Sequence, residues 1–128
     1  MTKVHYVRMY ADPDGESHFA DEEAELRPVD FAPPAPPLNL SMPISARQVA
    51  FFEMPEGWYG NWHPAPQRQF FFFLAGEIEA EVSDGEVRRF RPGSVLLMED
   101  TTGKGHASRS IGGSAVASVV PLAAGGPA

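Results

Sequence analysis

Cysteine is absent from the 128-residue chain. That excludes disulfides, thiolate metal ligands and a cysteine nucleophile, and it leaves imidazoles, carboxylates, amides and hydroxyls as the groups from which any site must be built. Positive charge is scarce as well: 10 Lys and Arg stand against 17 Asp and Glu, a formal charge of −7. Such a surface repels phosphate backbones and anionic headgroups and carries no basic stripe, so neither nucleic acid nor a membrane is an expected partner. No segment approaches the ~20 apolar residues of a membrane span. The start, Met1-Thr2-Lys3-Val4-His5-Tyr6, has neither the basic end nor the apolar core of a signal peptide, and a cytoplasmic protein is the expectation. Sustained helical periodicity is missing after residue 46, which removes the alternating helices that a parallel-sheet fold requires.

What is present suits one globular domain: a mass of 13.9 kDa, 43% hydrophobic and 21% charged residues, enough to build a core and too little for two. Residues 1–45 and 46–122 differ in character. The first stretch opens with an alternating strand, "KVHYVRMYA", closed by the turn residues "DPDG". "ESHFADEEAEL" follows and reads either as a short acidic helix or as an edge strand. From Arg27 to Ser45 six prolines interrupt the chain; each fixes its own φ and lacks a ladder donor, so the segment is expected as an extended arm. Phe31, Leu38, Leu40 and Ile44 are its apolar anchors, and the arm is expected to pack on the body.

From Ala46 the pattern is short strands separated by Gly, Asp and Pro, the signature of an all-β sandwich or barrel. "ARQVAFFEM" is a strand, "EGWYGN" a turn, "RQFFFFLA" a strand, and "SDGE" an Asp-Gly hairpin turn between alternating strands. The last residues, 123–128, have little to bury and are expected to fray. In "QFFFFLA" both faces are apolar, whereas beyond Gly76 the residues Ile78, Ala80 and Val82 face one way and Glu77, Glu79 and Glu81 the other. A closed sheet supplies one cover for the phenylalanines and something outside supplies the second: the arm, or a second subunit. A homodimer through the outer face near Phe70 and Phe72 is the expectation.

Two stretches carry a family resemblance. Gly57-x5-His63-x-Ala65-x3-Gln69-x6-Gly76 resembles the first cupin motif in spacing, and "RPGSVLLMEDTTGKGHASRS" is similar to the second, in which a Pro-Gly turn opens a strand and a histidine begins the return strand. The resemblance covers residues 46–122 and implies a double-stranded β-helix, or jelly-roll, barrel. It also implies a divalent metal, zinc, iron, manganese or nickel, in the barrel mouth, with His63, His106 and, as a neutral oxygen donor, Gln69 for ligands. The chain departs from the family pattern at Ala65, where a second histidine is usual, at Gln69, where glutamate is usual, and at His106, which falls two residues beyond the register. Three neutral ligands leave the charge of an ion unbalanced and favour an anionic substrate.

The same match turns Gln69, Phe71 and Phe73 inward as ligand-pocket walls. Trp58, Tyr59 and Trp62 beside His63 read either as packing or as stacking residues, and Trp62 is the one expected at the pocket. "TGKG" lacks the spacing of a phosphate loop. Asp100 reads as a turn former and His18 as a surface histidine among carboxylates. Three functions stay open: a binding protein for a small, anionic organic ligand; a metal-dependent oxygenase, isomerase or lyase acting on a small carboxylic acid; and an accessory dimer whose barrel is filled by its own side chains.

Overall fold

The computed structural model describes residues 3–123. Of the tail expected to fray, 124–128 lie outside the described residues; Ala123 donates its N–H to the Ser45 carbonyl at 3.1 Å. Eight strands build the body: β5 (Ala50–Met54), β6 (Tyr59–His63), β7 (Gln69–Ala75), β8 (Ile78–Val82), β9 (Val87–Phe90), β10 (Val95–Met98), β11 (His106–Ser110) and β12 (Ala115–Pro121). They divide into two sheets with the orders β10-β7-β12-β5 and β6-β11-β8-β9. Consecutive strands alternate between the sheets except at β8 and β9, the hairpin of "SDGE", and this is jelly-roll connectivity. Two strands from the first part of the chain, β1 (Lys3–Ala11) and β2 (Ser17–Glu25), extend the first sheet to six, with β1 parallel to β10 and β2 antiparallel to β1. The acidic segment is therefore an edge strand and not a helix. No helix among the described residues is long and apolar enough to cross a membrane.

Side-chain alternation decides what each strand buries. On β8 the inward Ile78, Ala80 and Val82 are buried, while Glu79 turns out to meet Arg89 and Arg109; exposed pairs of this kind add little stability. On β7 the inward Phe71 and Phe73 join Met9, Phe19, Phe90 and Leu96 in the main core, and Phe73 stacks on Phe90 at 5.2 Å. Phe70 faces the other way and forms a second, smaller cluster with Leu97 and Leu122, edge-on to Tyr6 at 5.9 Å. Both faces of this strand are thus apolar, but Phe72 and Leu74 on the outer one remain exposed.

The proline-rich arm does not pack flat on the body as its anchors suggested. Its short strands β3 (Arg27–Val29) and β4 (Leu38–Leu40) pair with each other in a separate two-stranded sheet, and Phe31, Leu38, Leu40 and Ile44 all stay exposed. Prolines 28, 33, 34, 36, 37 and 43 remove the donors that would join the arm to a sheet edge. It arches instead over the outer face of the six-stranded sheet and leaves a groove of about 680 Å³, lined by Val29, Leu40, Met42 and Ile44 on one side and Tyr6, Phe70, Phe72 and Val120 on the other.

The β1–β2 hairpin is clamped to the barrel by charge. His18 lies between two carboxylates, Nε2 at 2.7 Å from Asp12 and Nδ1 at 2.7 Å from Asp84 of the "SDGE" turn. Both ring nitrogens donate, so the ring is an imidazolium, and its pKa is raised by the Asp12 bond first and the Asp84 bond second. The carboxyl of Asp12 is held below its usual range, chiefly by His18. That of Asp84 is lowered chiefly by the Glu86 backbone N–H and then by His18. A raised histidine stabilises fully below its unfolded value of about 6.5 and loses that contribution as pH rises through the folded value; depressed carboxyls stabilise above about 3.9 and lose it as pH falls. The clamp is therefore strongest between about pH 4 and 6.5. The melting-temperature deficit of His18→Gln is expected to be largest near pH 5 and to shrink in alkali, and a deficit that grows toward pH 9 would contradict the assignment.

Candidate functional site

His63 closes β6 and His106 opens β11. The two residues are direct register partners in the ladder, and their ring centroids lie 4.8 Å apart. The turn expected over "EGWYGN" overlaps the first three residues of this strand: "YGNWH" carries Gly60 and Asn61, poor strand formers, and its pairing with β11 overrides that propensity. Between His106 and Ser108 the opposing positions on β6 are His63 and Gly60, so β6 carries an extra residue there and bulges beside the site. Gly105 lets the chain return tightly: its φ is +73°, and its Cα faces the carbonyl of His63.

Each ring is fixed by its Nδ1. In His63 this nitrogen lies 2.5 Å from the carbonyl oxygen of Asn61; a carbonyl only accepts, so Nδ1 carries the proton. In His106 it donates to Asp100 Oδ2 at 2.6 Å. Both imidazoles therefore offer the Nε2 lone pair, the arrangement that ligating or basic histidines use. Among the described residues neither Nε2 has a hydrogen-bond partner. Asp100 is wholly buried and His106 is 2% exposed. The other carboxylate oxygen of Asp100, Oδ1, is buried without a partner, a rare and costly condition. The Asp100 carbonyl accepts the Ala65 N–H at 2.9 Å, and the preceding residue, Glu99, is held by Arg8 at 2.5 Å and Arg68 at 2.8 Å. Burial would raise the Glu99 carboxyl, but these two guanidiniums outweigh it and hold the pKa down. The end of β10, and with it Asp100, is thus tied both to β1 and to the loop before β7.

The rings of His63 and His106 open on a barrel cavity of about 290 Å³, walled by Phe52, Trp58, Phe71, Phe73, Phe90, Leu96 and Met98, with Gln69, Ser108 and the exposed Glu53 as further polar groups. Gln69 is buried, and its amide nitrogen donates only weakly, to Met98 Sδ at 3.9 Å. Trp62 is a correction. It is 41% exposed and does not line the cavity, because the neighbour of His63 on a strand points to the opposite face. The indole on the cavity is Trp58, folded over Gly60, where a Cβ would come within 2.6 Å of its ring.

Eight strands in jelly-roll order place the Gly57–Gly76 stretch and the His106 strand face to face at one cavity. The fold is cupin-like. Among solved structures, the chain is similar to protein NMB1881 from Neisseria meningitidis, with 19% identity over 63% of this chain and 81% of that one and a TM-score of 0.50. Weaker similarities extend to the Schizosaccharomyces pombe Cnp3 cupin domain, at 14% identity over 96% of this chain and 89% of that one with a TM-score of 0.49. A putative ethanolamine utilization protein Q from Salmonella typhimurium follows, at 15% identity over 95% and 98% with a TM-score of 0.42. At such identities the likeness is one of fold. No protein-family model matches the sequence, and no curated protein does.

The cupin-like barrel has room for a metal in its mouth, but its donors do not suit one. Among the described residues no group of three His, Asp or Glu side chains is disposed to hold an ion. Asp100 is occupied behind His106, and Gln69 brings no charge. Two imidazoles and an amide supply three donors but no anionic one, which the sites that hold zinc or iron usually include. The residue that sequence reasoning set aside is Asp100. An acid after a strand and before "TTGKG" has the signature of a turn former, and only the folding of that turn beneath the ring of His106 shows otherwise.

Proposed function

We propose that the barrel binds a small, largely apolar organic acid, its hydrocarbon body against the aromatic walls and its carboxyl group at His63 and His106. The observation that carries this reading is the pair of Nε2 lone pairs at one end of an apolar cavity, one of them backed by a buried carboxylate. The ligand enters as a carboxylate, its ordinary form near neutral pH, and a proton from solvent goes to His106 Nε2 as it binds. The imidazolium so formed lies between two anions, the ligand carboxylate and Asp100, and each stabilises it by a charge-assisted hydrogen bond. Neutral alcohols of the same shape fit the walls but carry no charge to stabilise the imidazolium. The cavity is at the lower end of the range for ligand sites, which limits the ligand to a single ring or a short branched chain.

Thermal shift and calorimetry against aryl and branched-chain carboxylates, each paired with its alcohol, test the proposal. Carboxylates are expected to raise the melting temperature while the alcohols do not, by a linkage that reaches about 2.7 kcal/mol at a hundredfold excess over Kd. EDTA is expected to leave the effect intact. A panel without a single binder defeats the reading, and binding that appears only with added zinc, manganese or nickel would favour a metal-dependent enzyme instead.

A further inference from the structure

Fourteen large hydrophobic side chains are exposed among the described residues, and ten of them belong to the arm or to the outer face of the six-stranded sheet. Met42 of the arm is 82% exposed and Phe51 at the sheet edge 73%. A monomer seldom leaves so much apolar surface on one side. The β3–β4 hairpin sharpens the point: among the described residues it pairs with no further strand, and an isolated two-stranded hairpin is marginal in water.

We infer that this face is the interface with a second copy of the same chain, each copy laying its arm across the outer face of the other copy's six-stranded sheet. Two properties argue for a copy over a foreign protein. First, the arm and the face it arches over lie side by side on one chain, so a two-fold axis through the groove lets each cover the other reciprocally, as a self-complementary interface requires. Second, the groove is nearly free of charge: only Glu25 and Arg27 line it, and they pair with each other at 3.8 Å. Two chains of charge −7 can meet there without like-charge repulsion. The area suffices. At aromatic and aliphatic areas of 150–250 Å² or somewhat less per side chain, the exposed apolar groups offer on the order of 1,000 Å² per copy, against about 800 Å² in a standard interface. The inference concerns the face of the sheet opposite to the cavity and is independent of what the cavity binds.

Sedimentation equilibrium on the purified full chain, from low to high micromolar concentration, tests it. The expected mass is twice 13.9 kDa. Phe51→Asp with Phe72→Asp on the face, and separately Met42→Asp with Ile44→Asp on the arm, are each expected to give monomers with unchanged far-ultraviolet circular dichroism. The arm pair is the safer one, since Phe72 of the face pair, though exposed, stacks on Phe70 at 5.7 Å. Amide exchange in residues 27–46 is expected to slow as concentration rises, a readout that needs no variant. A chain that stays at 13.9 kDa throughout, whether its face remains open or awaits another protein, overturns the inference. So does a dimer that both charge pairs leave intact.

Discussion

Gly105→Ala is expected to destabilise the fold by about 3 kcal/mol or more and to abolish acid binding with it. Two costs combine. The φ of +73° lies in the left-handed region, where an L residue pays roughly 1–2 kcal/mol. The larger cost is steric: a Cβ at this position runs into the carbonyl carbon and oxygen of His63 and the nitrogen of Pro64, backbone atoms that no rotamer change can move aside. Retreat in the other direction is blocked as well, because the Gly105 carbonyl accepts a 2.6 Å hydrogen bond from the hydroxyl of buried Ser17. Relief therefore comes from pushing His63 away from His106, which dismantles the pair that the cavity depends on. Gly112→Ala is the control: its φ is +81°, yet nothing lies within 4 Å of a Cβ built there, so it isolates the backbone term. Urea unfolding of the two variants should show Gly105→Ala the more damaging by about 2 kcal/mol. Equal losses would mean that the contact with His63 is not what requires glycine.

The contrast between these glycines bears on how far the site could be read in advance. Spacing alone aligned His63 with a jelly-roll motif, and the Asp-Gly hairpin and the run "QFFFFLA" indicated a barrel with one strand apolar on both faces. Those features are local, or periodic with a period of two, and survive in one dimension. What escaped depends on pairing between distant segments. Strand β6 was hidden because Gly60 and Asn61 disguise it, and its existence rests on the ladder to β11, more than forty residues away. Of the aromatics beside His63, Trp62 is the one expected in the cavity and Trp58 the one that lines it, because the face a strand residue takes follows from register and from the bulge at Gly60. The arm was legible as extended from its prolines, but whether its apolar residues find cover depends on a surface that is not adjacent in sequence.

Asp100→Asn is expected to lower the affinity for carboxylic acids at least tenfold, about 1.4 kcal/mol, while leaving the protein as stable as before or more so by about 1 kcal/mol. The opposite signs follow from the same atoms. Asparagine keeps the shape, and its carbonyl oxygen can still accept the Nδ1 proton of His106, so ring orientation and tautomer survive. What disappears is the negative charge behind the ring. Without it, the imidazolium formed when a carboxylate binds together with a proton from solvent is balanced by one anion and not two, and the ligand loses the stabilisation that a charged acceptor provides over a neutral one. For the fold the exchange runs the other way: a wholly buried carboxylate with one unpartnered oxygen carries a desolvation penalty that the amide largely avoids. A residue retained at the expense of stability is the mark of a functional position. Calorimetric titration of a binding carboxylate, set beside urea midpoints for both proteins, reads the two effects separately. Loss of several kcal/mol of stability with affinity unchanged would make Asp100 a structural anchor for the turn and remove it from the site.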